Sequence, residues 1–250
     1  MDPKLSIYQC GFRKNMSAQN CILLMLEKWK KCLDNNGETG VLLTDLSRAF
    51  VCLDHGLLLA KLDAYGFGYN ALKLIHSYLT GRLQRVRINS TYSSWNEILV
   101  GVPQGSILGT LFFNIYLADL FLFCEDIDIA NYADDNSPFA CDNNIDLVVA
   151  RLQQDSKTLL AWFDDNKLKA NPDKFHLLLS EPNVENFIQI QEYEIHNTRC
   201  EKLLGINIDS KMTFDEHVKT LCSKATQKLH ALTRVANFMC THQKRIIMKA

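Results

Sequence analysis

Apolar residues recur along the chain at the spacing of an amphipathic helix in several places. In residues 18–33, Ile22, Met25 and Trp29 fall on one helical face, and Leu26 extends it. The longest apolar stretch, residues 107–124, is interrupted by polar residues and predicts a buried helix rather than a membrane span. The pattern therefore predicts helices over 18–33, 55–79 with a break at 66–68, 107–124 and 145–166.

Other segments have the pattern of strands. Residues 41–46 form a continuous apolar run that ends near a carboxylate, which is typical of a buried strand opening onto a site. Residues 127–132 alternate between apolar and polar, and Phe139 begins a return strand, which predicts a hairpin. Residues 84–90 predict a half-exposed strand with a basic face, and 175–180 and 203–208 predict two more strands. Irregularly interleaved helices and strands indicate an α+β fold with an antiparallel sheet.

The C-terminal end of the chain differs in charge from the rest. Thr213–Glu216 has the sequence of a capping box and predicts the start of a helix with Val218, Leu221 and Leu229 on one face. Residues 211–250 hold eight Lys or Arg against two acidic residues, whereas the whole chain has a net charge of −1. A solvated helix face is the alternative explanation for any single lysine there.

The cysteines limit the classes of site. The nine cysteines contain no CxxC pair, which favours a reducing compartment and argues against a zinc site or a disulfide framework. No signal peptide is visible at the start of the sequence.

Three features together suggest a metal site. Asp45 ends the buried strand, Asp134 and Asp135 lie on the predicted hairpin, and the Gly-rich segment 101–105 lies between them in sequence. Carboxylates from two neighbouring strands can hold two divalent cations about 3.5–4 Å apart. Each feature also has an ordinary explanation: Asp is favoured in turns, Asp45 could cap a helix, and GVPQG could be a structural turn.

The order and wording of the motifs carry a resemblance. The segments "YQCGFRKNMSAQNCI", "VLLTDLSRAF", "GVPQGSILGTLFFNIYLADL", "YADD", "WFDDNKLKANPDKFHLLLS" and "KLLGINIDSKMTFDEHV" follow one another along the chain. In this order they strongly resemble reverse transcriptases of non-LTR (LINE-type) retrotransposons, close to the jockey-like branch. The resemblance covers nearly the whole chain.

The resemblance implies a fold and an activity. It implies a right-hand polymerase palm with an antiparallel sheet packed on helices, partial fingers and the start of a helical thumb. It implies an RNA-directed DNA polymerase that uses two Mg²⁺ ions, with Mn²⁺ as a possible substitute. The implied partners are an RNA template, a DNA primer and deoxynucleoside triphosphates, with no membrane, and the implied location is intracellular, in cytoplasm and nucleus.

The resemblance also assigns residues near the chemistry. Asp45 and Asp134 match the metal-binding aspartates, with Asp135 beside Asp134. Phe50 matches the aromatic residue under the sugar that disfavours a 2′-hydroxyl, although an ordinary core position is the alternative. Lys174 matches a candidate proton donor to pyrophosphate, and a solvated lysine is its alternative.

Further matches concern the nucleotide pocket and the strands of the substrate. Gln104 and Gly105 match the loop that lines the nucleotide and template, and Tyr132 and Ala133 match the pair under the primer end. Leu204 and Gly205 lie in the segment that grips the primer. Arg82, Arg85 and Arg87 are a second possible backbone contact, and a solvated strand face is equally compatible with them.

The family pattern divides the chain into three parts. Residues 1–40 would be a remnant of the fingers leading into the palm, 41–210 the palm, and 211–250 the start of the thumb. Val51 stands where the family usually has an aspartate, and Thr110 replaces a proline. These departures, and an upstream fingers segment that we expect to be missing, leave an inactive remnant as the alternative function, and an unrelated metal-binding or interaction domain as a third.

Overall fold

The computed structural model describes residues 5–103, 105–124, 127–181 and 186–247. The chain divides into two compact units, Met1–Arg199 and Cys200–Ala250. The larger unit contains the helices α1 (Ala18–Asp34), α2 (Ala49–Cys52), α3 (His55–Ala64), α4 (Tyr69–Leu79), α5 (Ile107–Leu117) and α6 (Ile145–Asp165). Single 3₁₀ turns lie at Leu120–Leu122 and Pro172–Lys174.

The strands of this unit include one long central strand. They are β1 (Glu38–Ser47), β2 (Leu83–Gln84), β3 (Arg87–Ile88), β4 (Thr91–Tyr92), β5 (Asn96–Glu97), β6 (Asp128–Tyr132), β7 (Asp135–Asp142), β8 (Lys169–Ala170), β9 (His176–Leu179), β10 (Phe187–Ile190) and β11 (Tyr193–Thr198). The main sheet has the order β10-β11-β9-β1-β7-β6, and β8 also pairs with β1. Every pairing in it is antiparallel except that of β11 with β9.

The sheet is covered on both faces, which explains the continuous apolar run in β1. Val41 and Leu42 are adjacent, and both are buried, although successive strand residues point to opposite faces. Leu42 belongs to the core beneath α6, and Trp29 of α1 packs edge-on against Phe139 on the other side. Gly40 allows α6 to approach the sheet, since a side-chain carbon there would lie 2.8 Å from Val148.

A second core joins the helices near the end of β1. Leu58 of α3, Phe112 and Tyr116 of α5 and Trp162 of α6 are all buried in it. Burial of each such side chain contributes about 1.5–3 kcal/mol. The Tyr116 hydroxyl donates a hydrogen bond of 2.7 Å to the Asn166 carbonyl, so its polar end is satisfied as well. This core fixes the helices that surround the candidate site.

The smaller unit contains a hairpin and helices. Its elements are β12 (Cys200–Leu203), β13 (Ile206–Asp209), α7 (Asp215–Val235), a 3₁₀ turn at Ala236–Phe238 and α8 (Thr241–Ile247). The single strand predicted over 203–208 is wrong, because Leu204 (φ 46°) and Gly205 (φ 91°) form the turn between β12 and β13. Positive φ at both central residues of a two-residue loop is the usual geometry of a tight hairpin.

The predicted capping box is also wrong. The helix α7 begins at Asp215 after Phe214, which has φ 60° and makes no side-chain cap. The Thr213 hydroxyl donates instead to Asp209, whose carboxylate also accepts from the Phe214 backbone N–H at 2.7 Å. Burial acts to raise the pKa of Asp209, but these hydrogen bonds outweigh it and lower the pKa overall. Asp209 therefore organises the turn that leads into α7.

The elements of the larger unit differ from the sequence expectation mainly in their boundaries. The return strand of the hairpin starts at Asp135, not at Phe139. The helix predicted over 107–124 ends at Leu117 and is followed by a 3₁₀ turn. The strand predicted over 84–90 is two short strands, β2 and β3, and both of its faces are exposed. The other predicted helices and strands of this unit are confirmed within one to a few residues.

The apolar face predicted for α7 is present in the sequence but is not covered within the smaller unit. Val218, Leu221 and Leu229 are each more than half exposed. No residue of α7 is buried. Helical periodicity therefore located this helix correctly without indicating how its apolar side chains are packed.

Candidate active site

The central strand pair brings two of the candidate aspartates together. In the antiparallel register of β1 and β7, Asp45 lies directly opposite Asp135. Directly opposed residues project to the same face of a sheet, with Cα atoms about 4.5–5.5 Å apart. The register is fixed one residue away, where the Thr44 hydroxyl donates a hydrogen bond of 2.9 Å to the Asn136 carbonyl. Asp45 and Asp135 therefore share one face at the end of β1.

Asp134 lies in the tight turn beside this pair. The strand β6 ends at Tyr132, which pairs with Asp135, so Ala133 and Asp134 form a two-residue loop. Ala133 has a φ of 59°, a left-handed conformation that costs a non-glycine residue about 1–2 kcal/mol. The loop carries Asp134 at its tip next to Asp135, and the surrounding structure must hold Ala133 in its unfavourable conformation.

Two buried asparagines hold the turn from below. The Asn131 side-chain amide donates to the Ala133 carbonyl at 2.8 Å and to the Asn136 side-chain oxygen at 3.0 Å. The Asn136 amide in turn donates to the Asp134 carbonyl at 3.2 Å. Both asparagines are fully buried, where hydrogen bonds carry most weight because water cannot replace them. The two amides thus bind the backbone carbonyls of both loop residues.

The N-terminal segment braces the same turn from the side. Gln9 and Asn131 form a parallel bridge in which the Cys10 N–H donates to the Asn131 carbonyl at 2.8 Å. Gly11 then passes so close to the turn that a side-chain carbon on it would lie 2.2 Å from the Ala133 nitrogen. Only a glycine fits at that approach. Asn114 of α5 donates to the Gly11 carbonyl at 2.8 Å and ties the segment to the helical core.

The carboxylates influence each other's protonation. Burial raises the pKa of Asp135 to about 6, and the neighbouring charges of Asp134 and Asp45 contribute in the same direction. The Asp135 side chain nevertheless reaches the surface. Accumulated negative charge at an accessible turn favours a bound cation, because a cation relieves the repulsion between carboxylates.

Lys174 is the cation that the structure places at this cluster. Its Nζ lies 2.6 Å from the Asp45 Oδ2, and the 3₁₀ turn that carries it is attached to β1 by the Asn171 N–H, which donates to the Asp45 carbonyl at 3.1 Å. The hydrogen bond and charge of Asp45, with a smaller effect of Asp134, raise the pKa of Lys174. The ammonium group is exposed and stays protonated at neutral pH.

The donor set fits a hard divalent cation. Of the residues that the structure describes, no three His, Cys, Asp or Glu side chains converge closely enough to hold an ion unaided. Asp45, Asp134 and Asp135 supply carboxylate oxygens, which Mg²⁺ prefers, and Mg²⁺ usually completes its octahedron with water and substrate phosphates. The residues present therefore fit Mg²⁺ held jointly by protein and substrate.

Phe50 stands five residues beyond Asp45, after a sharp bend. The chain turns at Arg48, which has a φ of 53°, into the short helix α2. The Phe50 ring stacks on Phe113 with centroids 4.3 Å apart and receives the Phe12 ring edge-on at 5.6 Å. Phe50 is half-buried, so it is neither an ordinary core residue nor a free one. The two aromatic neighbours fix the orientation of its ring.

The Gly-rich loop is attached to the same helix. The Gly101 N–H donates to the Leu53 carbonyl at 2.7 Å, and the Val102 N–H donates to the Phe50 carbonyl at 3.1 Å. Gly101 has a φ of 83°, and a side-chain carbon there would lie 2.8 Å from the backbone of Val51. Gly105 has a φ of 77° with open space around it. Gln104 lies outside the described residues.

His55 is a further support of this loop that the sequence reasoning missed. Its buried ring nitrogen Nε2 donates to the Gly101 carbonyl at 2.7 Å. The preceding Asp54 caps α3 by accepting from the Leu57 N–H at 2.9 Å and pairs with Lys167 at 2.6 Å. The "LDHG" segment therefore has a structural role, because it holds the Gly-rich loop against α2 and α3.

A comparison with protein-family models gives the family. The model described as reverse transcriptase (RNA-dependent DNA polymerase) matches residues 2–208. This match spans most of the chain and both of the carboxylate-bearing segments. The chain belongs to the reverse transcriptase family.

Curated relatives of this chain include polymerases of mobile elements. The chain is 28% identical over 242 residues to the probable RNA-directed DNA polymerase from transposon BS of Drosophila melanogaster, covering 92% of this chain and 26% of the relative. It is 24% identical to the RNA-directed DNA polymerase from mobile element jockey of the same organism, covering 86% and 24%. The chain thus spans about a quarter of the length of these relatives. They support the predicted resemblance to jockey-like, non-LTR elements.

Solved structures of telomerase share the fold of this chain. Apo telomerase from Candida tropicalis, truncated from its C-terminal domain, superposes with a TM-score of 0.58 at 15% identity, over 78% of this chain and 39% of the other. Telomerase from the same organism in complex with a telomeric RNA fragment gives 0.55 at 13% identity, over 80% and 33%. The predicted α+β fold of a right-hand polymerase is therefore confirmed.

The structure groups most of the site residues that the sequence singled out. Asp45, Asp134, Asp135 and Lys174 form one cluster, with Tyr132 and Ala133 in the same turn. Phe50 is joined to the Gly-rich loop. Leu204 and Gly205 lie in the turn of the smaller unit.

The structure also places around the site residues that sequence reasoning did not single out. Gly11, Asn131 and Asn136 support the aspartate turn through the contacts described above. Both asparagines flank "YADD", and Asn136 stands between the polar residues Asp135 and Ser137, so the sequence does not distinguish them from ordinary turn residues. In the described part of the chain, no helix is both long and apolar enough to cross a bilayer.

Proposed function

We propose that this chain contains the palm of an RNA-directed DNA polymerase, which adds deoxynucleotides to a primer on an RNA template. The observation that carries this proposal is the register of Asp45 opposite Asp135, with Asp134 in the adjoining turn. Membership of the reverse transcriptase family supports it, and the retention of Asp45, Asp134 and Asp135 in the paired strands and their turn favours it over the inactive remnant.

Asp45 and Asp134, with Asp135 beside them, would hold two Mg²⁺ ions, and Mn²⁺ would fit the same oxygen donors. When bound, such ions activate the primer 3′-hydroxyl and neutralise the charge of the triphosphate and the leaving pyrophosphate. The protein's own contribution is to keep the carboxylates in place. The buried amides of Asn131 and Asn136 do this through the backbone of the turn.

Phe50 would lie under the sugar of the incoming nucleotide and disfavour a 2′-hydroxyl. The Phe113 stack and the Phe12 edge contact restrict its ring, so it cannot move aside to admit the additional oxygen without losing packing. A fixed aromatic surface is what discrimination by shape requires. Deoxynucleotides would therefore be preferred over ribonucleotides.

The Gly-rich loop, with Gln104 and Gly105, would line the nucleotide pocket and the template. The open space around Gly105 leaves room for a base pair to approach the backbone. Tyr132 and Ala133 would lie beneath the primer end. Leu204 and Gly205 would contact the primer backbone, and basic residues of 211–250 would follow its phosphates.

Lys174 would act as a proton donor to the leaving pyrophosphate. Its ammonium group is exposed and protonated at neutral pH, as a proton donor requires, and its present partner Asp45 is itself a candidate metal ligand. A cation bound by Asp45 would compete with Lys174 for this carboxylate. The released lysine could then contact the phosphates. We further propose 1–40 as part of the fingers, 41–210 as the palm and 211–250 as the start of the thumb.

Primer extension tests the proposed function. Purified protein, a labelled DNA primer on an RNA template, Mg²⁺ and deoxynucleotides should give extended products whose sequence follows the template. The Asp134→Asn variant should lose this extension while unfolding in denaturant like the wild type. If the wild type extends the primer no better than Asp134→Asn, the polymerase function is rejected for this chain.

A further inference from the structure

A protruding hairpin of the larger unit carries an exposed basic and aromatic surface. Every residue from Gly81 to Glu97 is exposed. The segment contains three arginines, Arg82, Arg85 and Arg87, against the single acidic residue Glu97. Even its apolar side chains lie open, with Val86 63% and Ile88 68% exposed. We call residues 82–97 the arginine hairpin.

A β-bulge shapes the face of the arginine hairpin. Near its tip, Arg87 pairs with Tyr92, and near its base, Gln84 pairs with Asn96. Between these pairs, the arm formed by β2 and β3 supplies two residues, 85–86. The returning arm, formed by β4 and β5, supplies three, 93–95, so it contains one extra residue. Such a bulge shifts the alternation of side chains and re-aims one of them.

The bulge places an arginine between two aromatic rings. Tyr92 and Trp95 are three residues apart and would point to opposite faces of a regular strand. Here the Arg85 guanidinium lies 3.9 Å from the Tyr92 ring centroid and 4.5 Å from that of Trp95. Arg87 also approaches Tyr92, at 5.5 Å. Tyr92, Trp95, Arg85 and Arg87 therefore form one surface.

This surface retains its capacity to bind. Within the described residues, no carboxylate forms an ion pair with Arg82, Arg85 or Arg87. A stacked guanidinium keeps its N–H edge available for phosphate oxygens. Tyr92 and Trp95 remain 46% and 57% exposed. Flat aromatic rings beside fixed cations are the combination that binds unpaired bases and their phosphates.

The base of the arginine hairpin leads to the candidate active site. A cavity of about 510 Å³ lies between Arg82 and Gln84 on one side and the start of the Gly-rich loop on the other, with Val51 in its wall. The Gly101 N–H fastens this loop to the carbonyl of Leu53. A single nucleic-acid strand bound along the arginine hairpin would thus continue toward the Gly-rich loop, which we propose lines the template.

The geometry points to the arginine hairpin as a binding surface for single-stranded RNA ahead of the active site, where it holds the template before it is copied. The choice of RNA rests on the proposed function, while the binding surface rests on the stacked arginines. Single-stranded rather than duplex RNA fits, because bases must be unpaired to stack on Tyr92 and Trp95.

Fluorescence anisotropy with an unstructured, labelled single-stranded RNA tests the inference, without Mg²⁺ or nucleotides. Arg85→Gln/Arg87→Gln should weaken binding about tenfold or more and reduce the steepness of its salt dependence by about 1.4, corresponding to two lost phosphate contacts. Lys30→Gln/Lys157→Gln removes the same charge from exposed positions of α1 and α6 and should bind within about twofold of the wild type.

Trp95 separates stacking from charge. Trp95→Ala should weaken RNA binding about fivefold or more and leave the salt dependence unchanged, whereas Trp95→Phe should bind almost like the wild type. Circular dichroism verifies that each variant is folded. A duplex RNA of the same sequence should bind less tightly than the single strand and respond less to Trp95→Ala. A single-stranded DNA of the same sequence should bind less tightly than the RNA if this surface binds the RNA template.

Four outcomes would overturn the inference. The first two are no detectable RNA binding by the wild type, and equal losses of RNA affinity in the arginine and lysine double variants. The others are tighter binding of duplex RNA or of DNA than of single-stranded RNA, and a changed oligomeric state of the arginine variant with unaltered RNA affinity. The last would assign the hairpin to a protein partner. Because the assay requires no catalysis, its failure is independent of primer extension. An inactive chain that loses RNA binding on Arg85→Gln/Arg87→Gln would reject only the polymerase function.

Discussion

Gly11 lies so close to Ala133 that a single added carbon would come within 2.2 Å of the Ala133 nitrogen. The two residues are far apart in sequence, yet this contact supports the turn that carries Asp134. Ala133 holds a left-handed conformation there, which a chain maintains only when its surroundings oppose relaxation. The aspartate turn therefore depends on the N-terminal segment as well as on its own strands.

Gly11→Ala should destabilise the protein and displace the aspartate turn. The new methyl group meets backbone atoms of Ala133 and Tyr132, which cannot rotate away, and overpacking of this kind costs about 1–3 kcal/mol. Urea denaturation measures the loss, and primer extension should fall with it. Gly68→Ala is the matched control, since nothing lies within 4 Å of the added carbon. Equal stability of the two variants would show that the contact is not tight.

Asp135→Asn should stabilise the protein at neutral pH. The pKa of Asp135 is raised from 3.8 to about 6 in the folded state, so the folded state holds this proton more tightly than the unfolded chain. Stability from this carboxyl is therefore present at low pH and is lost as pH rises from about 4 to 6. Asparagine removes the ionisation and should gain about 1 kcal/mol above pH 6, after allowance for solvent screening.

Urea denaturation near pH 4 and near pH 7.5 measures this difference. The advantage of Asp135→Asn should be present at the higher pH and largely disappear at the lower one. Asp63→Asn, which removes one exposed carboxylate from α3, controls for the change in net charge. An advantage of the same size at both pH values would mean that neither the burial of the Asp135 carboxylate nor its repulsion by Asp134 and Asp45 is the cause.

Phe50→Ala should reduce the preference for deoxynucleotides. Loss of the ring opens the space where we propose that a 2′-hydroxyl would clash, so ribonucleotide incorporation should rise relative to deoxynucleotide incorporation by about tenfold or more. Competing nucleotides in single-nucleotide extension give the ratio. Phe50→Tyr keeps the ring and should retain the preference. An unchanged ratio of ribonucleotide to deoxynucleotide incorporation in Phe50→Ala would show that Phe50 is an ordinary packing residue.

The sequence predicted the parts of the fold that depend on local pattern. Helical spacing located α1 and α6, and the apolar run of β1 was recognised because both faces of that strand are covered. The hairpin β6–β7 followed from alternation and from the aspartates. These features depend on residues near one another in the chain, so a single sequence contains their signal.

Features that depend on distant contacts could not be predicted. The single strand predicted over 203–208 passed over Gly205 as a turn signal, and nothing local marks Leu204 as a left-handed turn residue. The Thr213 hydroxyl was expected to cap a helix, but Asp209 captures it. The register that places Asp135 opposite Asp45 is known only once β1 and β7 are paired.

The supports of the site were hidden for the same reason. Nothing in the sequence distinguishes Gly11 from other glycines, because its role depends on its contact with Ala133 in the folded chain. Asn131 and Asn136 are ordinary turn-flanking residues in sequence, and only their burial shows that they bind the turn's carbonyls. Family resemblance transferred the ligands of the reaction to this chain but not these positioning contacts.

The Mg²⁺ dependence of single-nucleotide incorporation on an RNA-templated primer tests the central claim most directly. We predict template-directed incorporation by the wild type that requires Mg²⁺ or Mn²⁺. We also predict a loss of about a hundredfold or more in Asp45→Asn and in Asp134→Asn, and wild-type incorporation in Asp63→Asn. Incorporation that persists in both ligand variants, or that is absent from the wild type at every metal concentration, would contradict the claim.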